Sequence, residues 1–431
     1  MSLRKFVFCA IAGSVVLACS ARLHAAGASA GPAQGGDLNG AAGKVFDVNL
    51  KDRCFRFLKQ DVSYDPQSGR GTCWYTVHWT DGTTFRKYEE LVNFAQINPG
   101  PIIAEFTGLD DANARALREG QRFRADHMVL RPDLREATGI AADGRSVVGW
   151  FTPRVARFSR DGMLKLGDRE INAGAKYGGI RITIQQALTA KDMAQGFWKA
   201  TPTGRETPDG FVADHIQLEP LQDPFAVDNP KLPRVLSVGD SVSMNYEQAA
   251  RDDLKGVANY HRIEDNCWST VRGKAFMAYW LGDYTRKGLD WDVILFNSGL
   301  HDLKQQKAGS PFAVSIPDYQ ANLRKEIEIM EKTGAKLIWV TTTPVPNDID
   351  SSDYGYRTKG SEKVFNQAAA EVLRDYPHIQ ICDLAKVVNE SSVFDQWRKG
   401  EDVHYWNAEQ QAVLGKAIAD AVRRALNGEK K

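Results

Sequence analysis

The sequence predicts an α/β protein: a doubly wound parallel sheet in a three-layer α/β/α arrangement, preceded by a β-rich domain. Three observations carry this. Beyond Arg234, short apolar runs that stop at glycine or a turn alternate with amphipathic helical segments, as a buried parallel sheet requires. Before Leu218, aromatic and β-branched runs surround Asp-Gly and Gly-rich turns, the signature of hairpins. Between them, Pro220, Pro224, Pro230 and Pro233 interrupt any period and mark a boundary.

In chain order, Arg4 and Lys5 precede an apolar run from Phe6 to Cys19, too short to span a bilayer comfortably, and small residues follow. Residues 1–25 therefore read as an export signal. Cleavage after Ala25 is one reading, and a lipid-anchored Cys19 is the alternative. The mature chain is expected to be periplasmic or secreted. Residues 26–43 are rich in Gly and Ala and read as a linker. Residues 44–219 hold the hairpin texture, in "CWYTVHWTDGTTFRKY" and "YGGIRITIQ", with a helical piece at "DDANARALREG". The aromatics of this segment, Trp74, Trp79 and Trp150, suit either a carbohydrate-binding sandwich or a packed core. Residues 220–233 form the proline-rich linker, and 234–431 the α/β domain.

The 431 residues carry a net charge of +1, which excludes a strongly basic nucleic-acid binder or a polybasic membrane binder. No later stretch is apolar enough to span a bilayer. An exported chain can form disulfides, and Cys54 and Cys73 flank the turn-rich "DPQSGRG", so a hairpin-bridging pair is expected there. Cys267 and Cys382 are expected to be buried or free. No Cys or His spacing suggests a metal site.

In the α/β part, "RVLSVGD", "WDVILFNSG", "AKLIWVTTTP" and "HIQICDLA" read as strands. "DYQANLRKEIEIMEKTG", "SEKVFNQAAAEVLRDY" and "NAEQQAVLGKAIADAVRRAL" read as helices. Ligands of such sheets gather where strands end. Ser241 follows the first strand at a helix start, where free N–H groups favour an anion. Asn297, His301 and Asp302 follow the second of these strands, and His404 stands in a loop before the last helix. Serine is a poor nucleophile unless a base is in reach, and histidine is the usual one. A carboxylate then orients the imidazole. Asp402, two residues away, shares a face with His404 in an extended stretch. Glu401, three away, needs a turn. Asp240 and Asp302 suit structural roles in their turns. Trp268, Tyr405 and Trp406 flank the candidate residues and are weighed as pocket lining against core.

These blocks, in this order, resemble the SGNH (GDSL-type) hydrolase family. "GDS" at Gly239–Ser241 is similar to its nucleophile block, and "GLHD" at Gly299–Asp302 to its Gly-x-Asn-Asp block. The segment ending at His404 is similar to its Asp-x-x-His block, and "NCWSTVRG" with "WDVILFNSGLHDLK" resembles a subgroup of exported bacterial esterases. The resemblance implies a serine esterase without metal or cofactor. Ser241, His404 and Asp402 would form the triad, with Glu401 as the alternative acid. The Ser241 and Gly273 N–H groups and His301 would form the oxyanion hole. His301 stands where the family has asparagine, so Asn297 is held as the alternative donor. The implied substrate is an O-acylated, most simply O-acetylated, polysaccharide. An O-acetyltransferase with the same triad and a non-catalytic glycan-binding envelope protein are the alternatives.

Overall fold

In a computed structural model, the described residues are 38–65, 70–91, 100–135, 139–154, 161–175, 179–208, 210–351 and 355–428. The expected export signal and most of the Gly/Ala linker lie outside them, as does the side chain of Cys73, on which the expected Cys54–Cys73 bridge depends. Cys54 itself is buried. The chain divides into two compact units, one holding Ala33–Lys59 and Trp74–Asp223, the other Pro224–Lys431 with Met1–Pro32 and Gln60–Cys73 grouped to it.

The first unit is β-rich. Strands Gly43–Asn49, Cys54–Asp65, Arg70–Leu91, Gly210–Pro220 and Trp198–Thr207 neighbour one another in that order. The ring closes because Gly43–Asn49 pairs with Trp198–Thr207, and Gly210–Pro220 also pairs with Arg70–Leu91. Closure leaves no open edge among these five strands. Phe57, Val77, Phe211 and Leu218 fill the ring. The sheet continues through Arg181–Leu188, His127–Arg131 and Ile102–Thr107 over a second core, where Phe106 meets Phe123 and Phe151 edge to face. Trp79 is buried between Phe55 and Phe85, and Trp74 lies under the Arg56 guanidinium at 4.1 Å. These two indoles pack within the unit.

The second unit holds a five-stranded, all-parallel sheet. Its strands are β1 (Arg234–Val238), β2 (Asn259–Arg262), β3 (Val293–Phe296), β4 (Lys336–Val340) and β5 (Gln380–Cys382). Their spatial order is β2-β1-β3-β4-β5. The helices are α1 (Ser241–Asp253), α2 (Thr270–Leu281), α3 (Ile316–Glu331), α4 (Glu362–Leu373), α5 (Leu384–Glu390) and α6 (Ala408–Asn427). α1 packs on α6, while α2, α3 and α4 pack in succession. Gly415 permits the first contact, since a Cβ there would lie 2.5 Å from the Ala249 Cβ. Val235–Val238 of β1 and all of β3 are buried, which is why their sequences lack a regular apolar–polar alternation.

The strand order reverses between β1 and β3. The chain leaves β1 towards β2, then returns to build β3 on the other side, which opens a crevice at the carboxyl ends of β1 and β3. The proline-rich segment is not a free tether. Asp228 bonds Arg234 Nε at 2.7 Å and His261 Nε2 at 2.8 Å, and the Asn229 N–H donates to Asn259 Oδ1 at 3.0 Å. Phe225 receives the Arg234 guanidinium on its ring at 4.0 Å. The segment is thereby clamped against the starts of β1 and β2.

Candidate active site

The turn after β1 places Ser241 as the first residue of α1. Asp240 caps that helix, its Oδ1 accepting the Val242 N–H at 2.9 Å. Arg262 at the end of β2 braces the same turn: its Nε donates to Ser243 Oγ at 2.7 Å and its Nη2 to the Gly239 and Asp240 carbonyls at 3.4 Å. Burial raises the Asp240 carboxyl above its ordinary value. The Val242 N–H and the charges of His404, Arg357 and Arg262 oppose that rise. Among the described residues, the Ser241 N–H has no acceptor, as expected of a first-turn helix donor.

The loop between the short turn Trp397–Lys399 and α6 delivers His404. Its Nε2 lies 2.9 Å from Ser241 Oγ, and its Nδ1 lies 2.8 Å from Asp402 Oδ1. Both distances are those of hydrogen bonds. The loop is fixed from two sides. Asn245, one turn beyond Ser241 on α1, accepts the Tyr405 N–H at 3.0 Å, and the Trp397 indole donates to the His404 carbonyl at 2.9 Å. A single helix face thus carries the serine and the anchor of the base loop, at i and i+4.

Asp402 reaches His404 by a route the sequence argument did not anticipate. The segment is bent, not extended. Asp402 Oδ1 accepts the backbone N–H of His404 at 3.0 Å as well as its ring nitrogen, an Asx turn in which the carboxylate folds onto its own backbone two residues on. Its Oδ2 accepts the Trp406 indole N–H at 2.6 Å. Burial pushes the Asp402 carboxyl up, but the bonds from Trp406 and from the His404 backbone and ring outweigh it and hold the acid below its ordinary value. Glu401 is exposed and makes no hydrogen bond among the described residues.

Two expected oxyanion donors stand elsewhere. Gly273 lies inside α2, where its N–H donates to the Ser269 carbonyl at 2.9 Å and is unavailable to a substrate. Its missing side chain serves packing instead, because a Cβ there would fall 1.8 Å from Glu326 Oε1. Asn297 directs its amide N–H₂ to the Val340 carbonyl at 2.7 Å, tying the end of β3 to β4. His301 remains. Its ring leans on Trp268 with centroids 5.2 Å apart, and Lys304 Nζ lies 5.9 Å from the Trp268 ring. Burial, with Lys304, Arg357 and His404 nearby, holds His301 well below its ordinary value, so it is neutral near pH 7 and carries one N–H donor.

Asp302 is a brace for α2. It is fully buried and accepts the Thr270 N–H at 3.0 Å and the Thr270 hydroxyl at 2.5 Å. Asn322 and Glu326 on α3 complete this polar cluster: Asn322 Nδ2 donates to Thr270 Oγ1 at 3.3 Å, and Glu326 Oε1 is buried without a hydrogen bond. Of the expected pocket residues, Tyr405 is instead core, fully buried and stacked on Trp397 at 4.6 Å. Trp268 is half-buried against His301, in a backbone conformation with φ of 54° that side-chain-bearing residues rarely adopt. Trp406 is 71% exposed. Sequence reasoning missed the Trp406–Asp402 bond, the Asn245 anchor, the Arg262 brace and the buried Arg357, whose Nε donates to the Leu300 carbonyl at 3.1 Å. No group of residues suited to a metal ion occurs among the described residues.

No protein-family model matches the chain, and no curated protein does. Solved structures similar to it cover less than half of its length. One is an acetyl xylan esterase, 16% identical, covering 44% of this chain and 99% of its own, with a TM-score of 0.36. Another is a GDSL-like lipase from Bacteroides thetaiotaomicron, 15% identical, covering 48% of this chain and 93% of its own, with a TM-score of 0.34. A third is the C-terminal catalytic domain of a peptidoglycan O-acetyltransferase from Streptococcus pneumoniae, 19% identical, covering 46% of this chain and 93% of its own, with a TM-score of 0.30.

Proposed function

We propose that this chain is an exported SGNH-type serine esterase that removes O-acyl groups, most simply O-acetyl, from a polysaccharide. The observation that carries the chemistry is the unbroken hydrogen-bonded line from Ser241 Oγ to His404 to Asp402, at 2.9 and 2.8 Å, beside the crevice where the strand order reverses. In that line His404 accepts the Ser241 proton as Oγ attacks the ester carbonyl. Asp402 fixes the tautomer and stabilises the imidazolium. The Ser241 N–H and the neutral His301 ring are the donors assigned to the developing oxyanion. His404 then protonates the leaving alcohol, and an acyl-Ser241 intermediate remains for water to cleave.

Export is proposed from Arg4, Lys5 and the apolar run Phe6–Cys19. Among the described residues no helix is long and apolar enough to cross a membrane. An acyl-carbohydrate substrate is consistent with the names of the acetyl xylan esterase and the peptidoglycan O-acetyltransferase whose structures are similar. Transfer to a sugar hydroxyl is the second reading, since the same triad serves either acceptor. Acetate release from acetylated xylan, xyloglucan, pectin and alginate, measured with and without an unacetylated acceptor glycan, separates the two. Release without acceptor supports hydrolysis, and release that depends on acceptor supports transfer. A Ser241→Ala variant with undiminished release on any of these would remove both.

A further inference from the structure

An indole left 71% exposed gives up the burial that normally holds a tryptophan in place. Trp406 is nevertheless held. Its Nε1 donates to Asp402 Oδ2 at 2.6 Å, and its ring sits 5.4 Å from the His404 ring at an interplanar angle of 36°. With Oδ1 engaged by the His404 backbone and ring, the indole is the partner that fixes the second oxygen of the carboxylate. The same bond fixes the indole, so a flat apolar surface stands open to solvent beside the base. His404 is the group that hands its proton to the departing alcohol, so whatever lies against His404 on its open side meets the alcohol part of the ester. Met244, one turn along α1 from Ser241, is also exposed, at 43%. Large apolar side chains are thus left open close to the triad instead of being covered.

We propose that Trp406 positions the triad acid through its indole N–H and presents its exposed ring as the wall against which the leaving alcohol rests, so that the site selects esters of six-membered-ring alcohols, the pyranosyl class. The inference rests on the serine-esterase reading above. The bond to Asp402 makes the wall rigid before substrate arrives, which lowers the cost of ordering it. The ring face contributes to binding, and the N–H contributes to the chemical step through Asp402. Two substitutions therefore separate the roles: Trp406→Phe keeps a ring and loses the donor, and Trp406→Ala loses both.

The test compares cyclohexyl acetate with 3-hexyl acetate, both esters of six-carbon secondary alcohols of similar acidity, so that the ring is the main difference. Wild type, W406F, W406A and S241A are assayed with their melting temperatures recorded. Wild type is expected to favour the cyclohexyl ester through KM. W406F should retain that preference while kcat falls about ten- to a hundredfold on both esters, the range for a lost hydrogen bond to a charged group. Its KM for each ester should stay near the wild-type value, because the ring that the alcohol rests on is kept and only the support of Asp402 is lost. W406A should lose the preference as well. A wild-type kcat in W406F, or a loss that falls on KM and not on kcat, overturns the positioning role. No ring preference in wild type, or an undiminished one in W406A, overturns the wall. Hydrolysis of both esters by S241A at the wild-type rate would instead overturn the esterase reading itself.

Discussion

Replacing Asp402 with asparagine changes one atom of the site and should nearly abolish turnover. The carboxylate accepts from the His404 backbone at 3.0 Å, the His404 ring at 2.8 Å and the Trp406 indole at 2.6 Å. An asparagine is almost the same shape and can keep its oxygen on only one side. If the oxygen faces Trp406, the amide N–H₂ faces His404 Nδ1, and that nitrogen must become an acceptor. The ring proton then moves to Nε2, the atom 2.9 Å from Ser241 Oγ, which can no longer take the serine proton. If the oxygen faces His404, the amide opposes the indole N–H, and the imidazolium loses its negative partner in either case. A wrong-tautomer triad of this kind typically loses about 10⁴ in kcat, or about 5 kcal/mol of transition-state stabilisation. The assay is release of nitrophenol from an aryl acetate at pH 7.5, with far-UV circular dichroism to confirm folding. Glu401→Ala is the control, expected to match wild type because Glu401 is exposed. An Asp402→Asn enzyme with wild-type turnover, or a Glu401→Ala enzyme as slow as Asp402→Asn, would rule out Asp402 as the acid that orients His404.

Three further outcomes follow from the same geometry. His301→Ala should cost about 10² to 10³ in kcat, the usual loss for one oxyanion donor, while His301→Asn should recover part of it and the melting temperature should change little. Gly273→Ala should act on stability, because the new Cβ would meet Glu326 Oε1 at 1.8 Å; overpacking of about 1–3 kcal/mol should lower Tm by several degrees, and adding Glu326→Ala should restore part of it in a double-mutant cycle. Burial raises Asp302 from 3.8 to about 7, so the folded state holds its proton more tightly than the unfolded chain does. Stability from this group is therefore present below about pH 4 and declines as pH rises towards about 7, and Asp302→Asn should flatten that slope in urea melts taken across the window.

The α/β part was legible because its signals are strong and local. β1 and β3 are short runs dominated by Val, Leu, Ile and Phe, α3 follows Ser315 as cap with Pro317 in its first turn, and α6 ends at Gly428 in the left-handed conformation. β2 was missed because Asn-Tyr-His-Arg at the sheet edge carries little apolar pattern, and the hairpin that delivers Arg357 has strands of three residues each. The nucleophile, base and acid were readable from residue type and order. The oxyanion side was not. Whether a glycine N–H faces a substrate or a helical carbonyl depends on where α2 begins, and Asp302 sets that start by binding the Thr270 N–H across 32 residues. The periodicity that favours Asp402 belongs to an extended stretch, and in the bent loop Asp402 reaches His404 through its own backbone turn instead. Tyr405 and Trp406 are adjacent and chemically alike, yet one is core and the other open to solvent, a distinction settled by the Trp397 stack and the Asp402 bond.

Ser241 is the residue proposed to carry the acyl group. Brief mixing with an activated acetyl ester, acid quench and mass measurement of the intact chain, followed by peptide mapping, shows whether it does. One added acetyl group per chain is expected, located on Ser241, forming far more slowly when Asp402 is asparagine and absent from Ser241→Ala. An acetyl group on another residue, or steady turnover by Ser241→Ala, would contradict it.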